Sequence, residues 1–274
     1  MTDYRFDTPR PVRLYCELGR GSVRVSAVDT DVSRVQVTGR VADQVSVTYE
    51  GDEITIVAPR QRTGFFGGEA EVDLVVALPA GSDAMVKSGS ADLALTGTYA
   101  GCVLRSGSGT ITVETLTAPS QIETGSGEVA VELAAAELRV KSGSGDVEIG
   151  HAEASISVST GSGDVRVASA HGPTAVKTGS GDLTVDRASD DVSLATASGD
   201  LVVRSALRGK VTMRSASGDV QVGVPTGLPV WTDITTVTGD ISSTLPSTGE
   251  PADGADYLEL RAKTVSGDIS LRAV

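Results

Sequence analysis

The sequence predicts an all-β chain that folds as a single-stranded parallel β-helix, or β-solenoid, with 18-residue coils. Three observations predict it. A Ser-Gly-Ser-Gly-Asp turn recurs in strict register, the residues around each turn alternate between apolar and polar, and the apolar positions form aliphatic columns. The general preference for right-handed crossovers between parallel strands predicts a right-handed coil.

The turn motif sets the period of the repeat. Seven copies end 18 residues apart, at Asp92, Thr110, Glu128, Asp146, Asp164, Asp182 and Asp200. Later copies end at Asp219, Asp240 and Asp268, with spacings of 19, 21 and 28. We therefore expect the repeat to continue to the C-terminus with insertions. Within each turn, glycine is expected to supply a positive φ.

Alternating strands flank each turn, and each strand has one buried face. One aliphatic column runs through Leu93, Ile111, Val129, Val147, Val165, Leu183, Leu201 and Val220. A small residue recurs at the far corner of the coil, at Ala134, Ala152, Ala170, Ala188 and Ala206. A propeller needs blades of about 40 residues, and a meander does not require one residue type per column. A parallel stack accounts for both observations.

The sequence divides into two regions. Residues 1–80 are predicted to form an N-terminal β region and cap, continuous with the solenoid, in which Gly21-Ser22-Val23-Arg24-Val25 is a degenerate first copy of the repeat. Residues 81–274 are predicted to form the solenoid of SGSGD-type coils, with longer C-terminal loops. The predicted loops are 64–68, 224–232 and 245–257, which are rich in glycine or proline.

Charge and composition exclude several classes of partner. The net charge of −13 argues against binding to nucleic acid or to an anionic membrane surface. Neither a signal-peptide core nor a membrane span is visible, so the chain is predicted to be cytoplasmic. Cys16 and Cys102 are expected to be reduced thiols, with a disulfide left open as the alternative.

The N-terminal strand pattern, followed by tandem SGSGD-Val-x-Val units, resembles the bacterial DUF4097 family of β-strand-repeat, adhesin-like proteins. The resemblance covers the chain from about Leu14 to Leu271. It implies a single-stranded β-helix and a link with the bacterial envelope. The family has no established catalytic residues, so the resemblance implies none here.

The acidic column is the first candidate site. Asp146, Asp164, Asp182 and Asp200 would stack about 5 Å apart, a spacing that could attract calcium. However, the calcium-binding nonapeptide reads G-G-x-G-x-D, whereas here Asp directly follows the second glycine. We therefore favour a structural role, in which Asp accepts hydrogen bonds from turn amides, and we predict no metal and no cofactor.

A row of cations lies five residues before the acids, at Lys87, Arg105, Lys141, Lys177 and Arg214. It is expected to relieve the repulsion between stacked carboxylates, or alternatively to bind a glycan or an anionic polymer. Lys141 and Lys177 are therefore candidate interaction residues. The Ser/Thr column beside the turn is expected to bond the turn backbone, because a catalytic serine would be unique and not repeated.

Three aromatic residues, Phe65, Phe66 and Trp231, fall in predicted loops. They could anchor a partner, or they could fold down to cover the stack ends. His151 and His171 are 20 residues apart and so are not expected to share a column. The sequence contains no HExxH, Walker A or G-x-S-x-G motif.

These features predict a non-catalytic scaffold or binding module of a bacterium, with an unknown protein or glycan partner. An exported, adhesin-like surface protein and a carbohydrate-active β-helix enzyme are the alternatives. Exposed strand edges at the stack ends would also permit self-association.

Overall fold

The alternating segments form strands whose apolar faces turn toward a shared core. A computed structural model describes residues 1–59, 71–245 and 257–274. It is an all-β solenoid with two compact units, Met1–Leu138 and Arg139–Val274. In each unit, strands that precede the turn motif form one sheet, here called the leading sheet. Strands that come after the turn form the other, the following sheet.

In residues 1–59 and 71–138, the first unit has thirteen strands and one short 3₁₀ helix at Ala42–Gln44. The strands are β1 (Thr2–Asp7), β2 (Arg13–Leu18), β3 (Arg20–Val28), β4 (Val32–Gly39), β5 (Ser46–Glu50), β6 (Glu53–Val57), β7 (Glu71–Pro79), β8 (Asp83–Ser88), β9 (Asp92–Tyr99), β10 (Cys102–Ser106), β11 (Ile111–Leu116), β12 (Ser120–Thr124) and β13 (Val129–Ala134).

Regular coils of the first unit stack in parallel, and the N-terminal end does not. Strand β3 pairs in parallel with β9, and Val23 lies beside Leu93, which confirms the degenerate first copy in Gly21–Val25. Beyond β3 the chain forms β4–β7, in which β4 pairs antiparallel with β7 and β5 antiparallel with β6. Strand β1 then pairs antiparallel with β4, so antiparallel strands end both sheets of this unit.

The described part of the second unit has fourteen strands, the first of which begins at Leu138. They are β14 (Leu138–Ser142), β15 (Val147–Ala152), β16 (Ile156–Thr160), β17 (Val165–Ala170), β18 (Thr174–Lys177), β19 (Leu183–Ala188), β20 (Val192–Ala195), β21 (Leu201–Ala206), β22 (Gly209–Arg214), β23 (Val220–Val224), β24 (Val230–Thr238), β25 (Ile241–Ser243), β26 (Leu258–Ser266) and β27 (Ile269–Ala273).

Residues eighteen apart lie side by side in the second unit. Val147 pairs with Val165, and Val165 with Leu183, in parallel register. All three are at most 1% exposed, as expected for an aliphatic column. Ala170 and Ala188 are equally buried at the corner of the coil, where the predicted small residue recurs.

The last two coils do not stack in chain order. Strand β26 pairs with β22 on one side and with β24 on the other, and β27 lies between β23 and β25 in the same way. The final coil of the sequence (β26 and β27) therefore lies between the coil of β22 and β23 and the coil of β24 and β25. The repeat continues to the C-terminus as predicted, but its order in space does not follow the sequence.

Of the three predicted loops, one is shorter in the structure than predicted, and the other two lie wholly or mostly outside the described residues. The predicted loop over 224–232 is shorter, because β23 ends at Val224 and β24 begins at Val230. Trp231 thus lies on a strand, and its placement in a loop was wrong. The predicted loop tip at 64–68, with Phe65 and Phe66, lies outside the described residues, as does most of the predicted loop over 245–257.

Candidate functional site

The acidic column forms a hydrogen-bonded ladder along the turn edge of the second unit. Each carboxylate accepts a hydrogen bond at its Oδ1 from the backbone N–H of the next acid in the stack. The N···O distances are 2.8 Å from Asp164 to Asp146, 2.9 Å from Asp182 to Asp164 and 2.8 Å from Asp200 to Asp182. The Asp side chains thus connect successive coils through their turn amides.

The ladder continues through the coils that are out of chain order. The N–H of Asp219 bonds Asp200 at 2.7 Å, that of Asp268 bonds Asp219 at 2.8 Å, and that of Asp240 bonds Asp268 at 2.8 Å. Position in the stack, not position in the sequence, therefore decides which residues are partners. In the first unit, the N–H of Thr110 bonds Asp92 in the same way, at 2.9 Å.

Hydroxyl groups fix the shape of each turn. Ser106 Oγ accepts a hydrogen bond from the N–H of Gly109 at 2.9 Å and lies 3.0 Å from the Gly109 carbonyl oxygen, to which it donates. Thr160 and Thr178 accept from Gly163 and Gly181 at 3.0 and 2.9 Å. These repeated hydroxyls bond the turn backbone, as the sequence predicts.

The turn glycines are required for a different reason from the one expected. In the regular coils, Gly163 and Gly181 do not have positive φ values. A Cβ atom on Gly181 would instead lie 2.1 Å from the carbonyl oxygen of Gly163, one coil away. Among the later copies, Gly218 and Gly267 combine both constraints, with φ values of +146° and +147°. Close approach of stacked backbones, not turn conformation alone, therefore selects glycine.

In the second unit, every Asp of the ladder before the terminal Asp240 has its Oδ1 atom engaged by a backbone N–H. Calcium prefers six to eight oxygen ligands, so one carboxylate per coil would need many additional donors. Among the described residues, no three His, Cys, Asp or Glu side chains are grouped as metal ligands would be. Whether Asp146, Asp164, Asp182 and Asp200 bind calcium stays a prediction to be tested.

Members of the predicted row of cations have different surroundings. Arg105 forms an ion pair with Glu123 at 3.0 Å, across neighbouring strands of the leading sheet. Lys87 lies 3.4 Å from the Tyr15 hydroxyl and above its ring. Arg105 is thus neutralised on its own sheet, by a carboxylate of the next strand and not by the acidic column across the turn.

Three cations of the second unit share one outward column and are here called the basic row: Lys177, Arg214 and Lys263. Arg214 lies directly beside Lys263 on neighbouring strands, and Ala195 separates Lys177 from Arg214. All three are exposed, and none forms an ion pair with a described residue. Like charges placed directly opposite are unfavourable unless an anion lies between them.

The sequence analysis missed Lys263, although it lies five residues before Asp268, as Lys177 lies five residues before Asp182. Applying that spacing to the last copy of the motif would have found it. Its place beside Arg214 could not be predicted, because it depends on the inserted final coil.

The outer face of the leading sheet around Lys177 and Arg214 lacks carboxylates. From β14 to β22, outward positions of the leading sheet hold cations, serines, alanines and a threonine, but no acid. Ser159, Ala175 and Ala195 are short side chains beside Lys177. Lys141 lies on the same face, on β14. Beyond β22, Glu259 forms ion pairs with Lys210 at 3.4 Å and with Arg261.

Trp231 lies at the outer strand of this sheet and is 45% exposed. The guanidinium of Arg261 stacks over its ring at 5.5 Å from the centroid. Arg261 also binds Glu259, so the ring, the cation and the carboxylate form one cluster. Trp231 is therefore available at the surface, although on a strand.

The histidines and cysteines are not brought together. His171 Nδ1 lies 2.8 Å from Glu153 on the surface, and His151 pairs in register with Ser169. Cys16 and Cys102 are buried free thiols. Burial, and secondarily the Glu17 charge, raises the pKa of Cys16 to about 12. Burial also raises the pKa of Cys102 to about 12, partly offset by a backbone hydrogen bond at Ala84.

Three solved structures align with nearly the whole chain at low identity. A candidate lipid-binding protein from Parabacteroides distasonis is 13% identical, with a TM-score of 0.48, and covers 100% of this chain and 96% of its own. A candidate adhesin from Bacteroides fragilis is 10% identical (TM-score 0.41; 98% and 96%), and one from Parabacteroides merdae is 11% identical (TM-score 0.30; 98% and 95%).

A comparison with models of protein families shows which family the chain belongs to. No curated protein matches the chain. Within the described ranges, no helical segment has the length and apolar character needed to span a bilayer. The family model described as Toastrack DUF4097 matches residues 15–272, nearly the full length. The chain therefore belongs to the Toastrack DUF4097 family.

Proposed function

We propose that this protein is a non-catalytic binding module that holds an anionic polymer, such as an acidic glycan, on the outer face of its leading sheet. The observation that carries the proposal is the basic row. Lys177, Arg214 and Lys263 are exposed on one column, and none of them forms an ion pair with a described residue.

The charge of the whole chain makes this face unusual. At a net charge of −13, a random surface patch should carry more acids than bases. The outward positions from β14 to β22 instead carry no acid. At an ionic strength of about 0.15 M, charges more than about 8 Å away are largely screened, so a polyanion in contact with the row experiences mainly the local cations.

Geometry supports an extended partner. Neighbouring strands lie about 4.8 Å apart, so Lys177 and Arg214 are about 10 Å apart and Arg214 and Lys263 about 5 Å. A chain of regularly spaced anionic groups can contact all three cations without bending. The short side chains of Ser159, Ala175 and Ala195 leave its path unobstructed.

The repeated polar residues at the turn support a non-catalytic role. The Asp ladder joins the backbones of successive coils, and the turn hydroxyls bond the backbone of their own turns, in one coil after another. Their chemistry is therefore committed to the stack. A catalytic pair would require a unique arrangement in one coil, with a base beside a nucleophile.

A binding panel tests the proposal. The full chain is passed over immobilised polygalacturonate, a sulfated polysaccharide, a polyphosphate and an uncharged glucan at physiological ionic strength. Retention on anionic polymers, with none on the glucan, is the expected result. Equal retention on the glucan, or no retention on any of the polymers, would contradict the proposal. The cytoplasmic location remains a prediction, which immunoblotting of fractionated cells would test.

A further inference from the structure

The C-terminal end of the second unit exposes the edge of a long strand. Strand β24 spans nine residues and pairs in parallel with β26, from Val230 beside Leu258 to Thr238 beside Ser266. Across the described ranges, no strand lies along its other edge. An exposed edge presents unpaired N–H and C=O groups that can pair with another strand.

The ladder geometry identifies which groups are unpaired. The N–H of Leu258 donates to the carbonyl of Pro229 at 2.9 Å. In a parallel ladder the backbone groups then alternate, so those of Trp231, Asp233 and Thr235 face β26. Those of Thr232, Ile234 and Thr236 point toward the free edge. Three residues thus offer regularly spaced donors and acceptors.

The edge lacks the features that usually prevent strand pairing. It contains no proline, lysine or bulge, and its one charged residue is Asp233. Trp231 is 45% exposed and Val237 is 73% exposed, both on the outward face. Val265, beside Val237 on β26, is 55% exposed. Exposed apolar residues of the described chain are thus concentrated at this end.

A cavity of about 370 Å³, lined by aliphatic and hydroxyl side chains, opens at the same end. It is lined on the inner face of β24 by Val230, Thr232 and Ile234, and across from them by Ile241 and Leu271. Ile241 is 50% exposed. The core of the solenoid therefore reaches the surface here.

We propose that this end binds a second copy of the same chain, by antiparallel pairing of β24 with β24 about a two-fold axis at Ile234. The strand is self-complementary in that register. The two-fold axis creates two pairs in which Trp231 of one copy lies opposite Val237 of the other. Asp233 of each copy lies opposite Thr235 of the other, so no two carboxylates are directly opposed. The unpaired groups of Thr232 and Thr236 bond each other across the interface.

The same axis brings the two cavities together. Because Val230 and Ile234 line the cavity behind β24, rotation about Ile234 places one cavity mouth over the other. Apolar surface at both mouths is then removed from water, which favours association. An isologous contact of this kind closes at two copies and does not propagate.

Sedimentation velocity over a range of concentrations tests the dimer. The expected result is a reversible change from about 28 kDa to about twice that mass. Val237→Asp places a charge against Trp231, and Thr232→Pro removes a free-edge N–H while the β26 ladder is kept. Each should raise the dimer dissociation constant by about tenfold or more. Val75→Asp, at a 43% exposed strand valine of the first unit, is the control and should leave it unchanged.

Disulfide trapping tests the register. Ile234→Cys places two cysteines beside the axis and should give a disulfide-linked dimer, whereas Trp231→Cys should not, because its partner is Val237. Cys16 and Cys102 are buried and should not contribute. A wild-type chain that stays monomeric at all concentrations, an oligomer series beyond two copies, or dimers unaffected by Val237→Asp would overturn the proposal.

Discussion

The carboxylate of Asp164 accepts a hydrogen bond from the backbone N–H of Asp182, at 2.9 Å and one coil along the stack. The Asp of the repeated motif is therefore an acceptor for its neighbour's main chain. This hydrogen bond accounts for the recurrence of an acid at most of the turns, and no bound ligand is needed to explain it.

Removing the hydrogen-bond acceptor of one ladder Asp should destabilise the fold more than removing only the negative charge of that side chain. Asp182→Ala leaves the N–H of Asp200 without its partner and should lower the free energy of unfolding by about 0.5–1.5 kcal/mol. Asp182→Asn keeps an oxygen acceptor and reduces like-charge repulsion, so it should match or exceed the wild type. Urea denaturation measures both. If the alanine and asparagine variants were equally destabilised, charge and not the amide bond would be the cause.

Filling the space between stacked turns should be costly. Gly181→Ala places a Cβ atom 2.1 Å from the carbonyl oxygen of Gly163, so the coils must separate. We expect a loss of about 1–3 kcal/mol or more in thermal or urea unfolding. Gly101→Ala is the matched control, because the nearest atoms to its Cβ are 3.4 Å away and its φ is not positive. Equal losses in both variants would contradict the close-approach explanation.

Calcium should not stabilise the protein. The Oδ1 atoms of Asp146 and Asp164 are engaged with backbone amides, and each turn adds only one carboxylate to the ladder. At one matched ionic strength, the Tm should therefore be the same in calcium, in magnesium and in a chelator. A calcium-specific rise in Tm that Asp182→Asn abolishes would establish the ladder as a cation site.

Alkaline pH should destabilise the fold through the buried thiols. The pKa of Cys16 is raised from 9.0 to about 12, so the folded thiol stays neutral while the unfolded one ionises. Stability is therefore complete below pH 9 and is lost as the pH rises from 9.0 toward 12, by about 1.4 kcal/mol per pH unit and thiol. The double variant Cys16→Ala/Cys102→Ala should show a shallower decline in urea denaturation between these values. If the double variant lost stability as steeply as the wild type, groups other than these two thiols would be the cause.

Much of the architecture could be predicted because local pattern and stacking agree. Val147 and Val165 share a period of 18 and lie side by side, and Gly21–Val25 occupies the predicted first coil. The order of the last coils could not be predicted, because spacing along the chain does not reveal that β26 inserts between β22 and β24. The antiparallel pairing of β1 with β4 gave no comparable periodic signal.

The candidate surface was only partly predictable. Lys177 was identified from its distance to the turn, but its grouping with Lys263 depends on the inserted coil. The role of Gly181 was misassigned, because a contact across eighteen residues leaves no local sequence signal. Trp231 was placed in a loop, since Pro225, Gly227 and Pro229 precede it closely.

The affinity of an anionic polysaccharide for charge-reversed variants tests the proposed function most directly. Lys177→Glu/Arg214→Glu reverses two exposed cations of the basic row, and Arg187→Glu/Arg272→Glu makes the same change on exposed residues of the following sheet. We predict that calorimetric titration shows at least about tenfold weaker binding for the first variant and near wild-type affinity for the second. Equal loss in both variants, or no loss in the first, would contradict binding at the basic row.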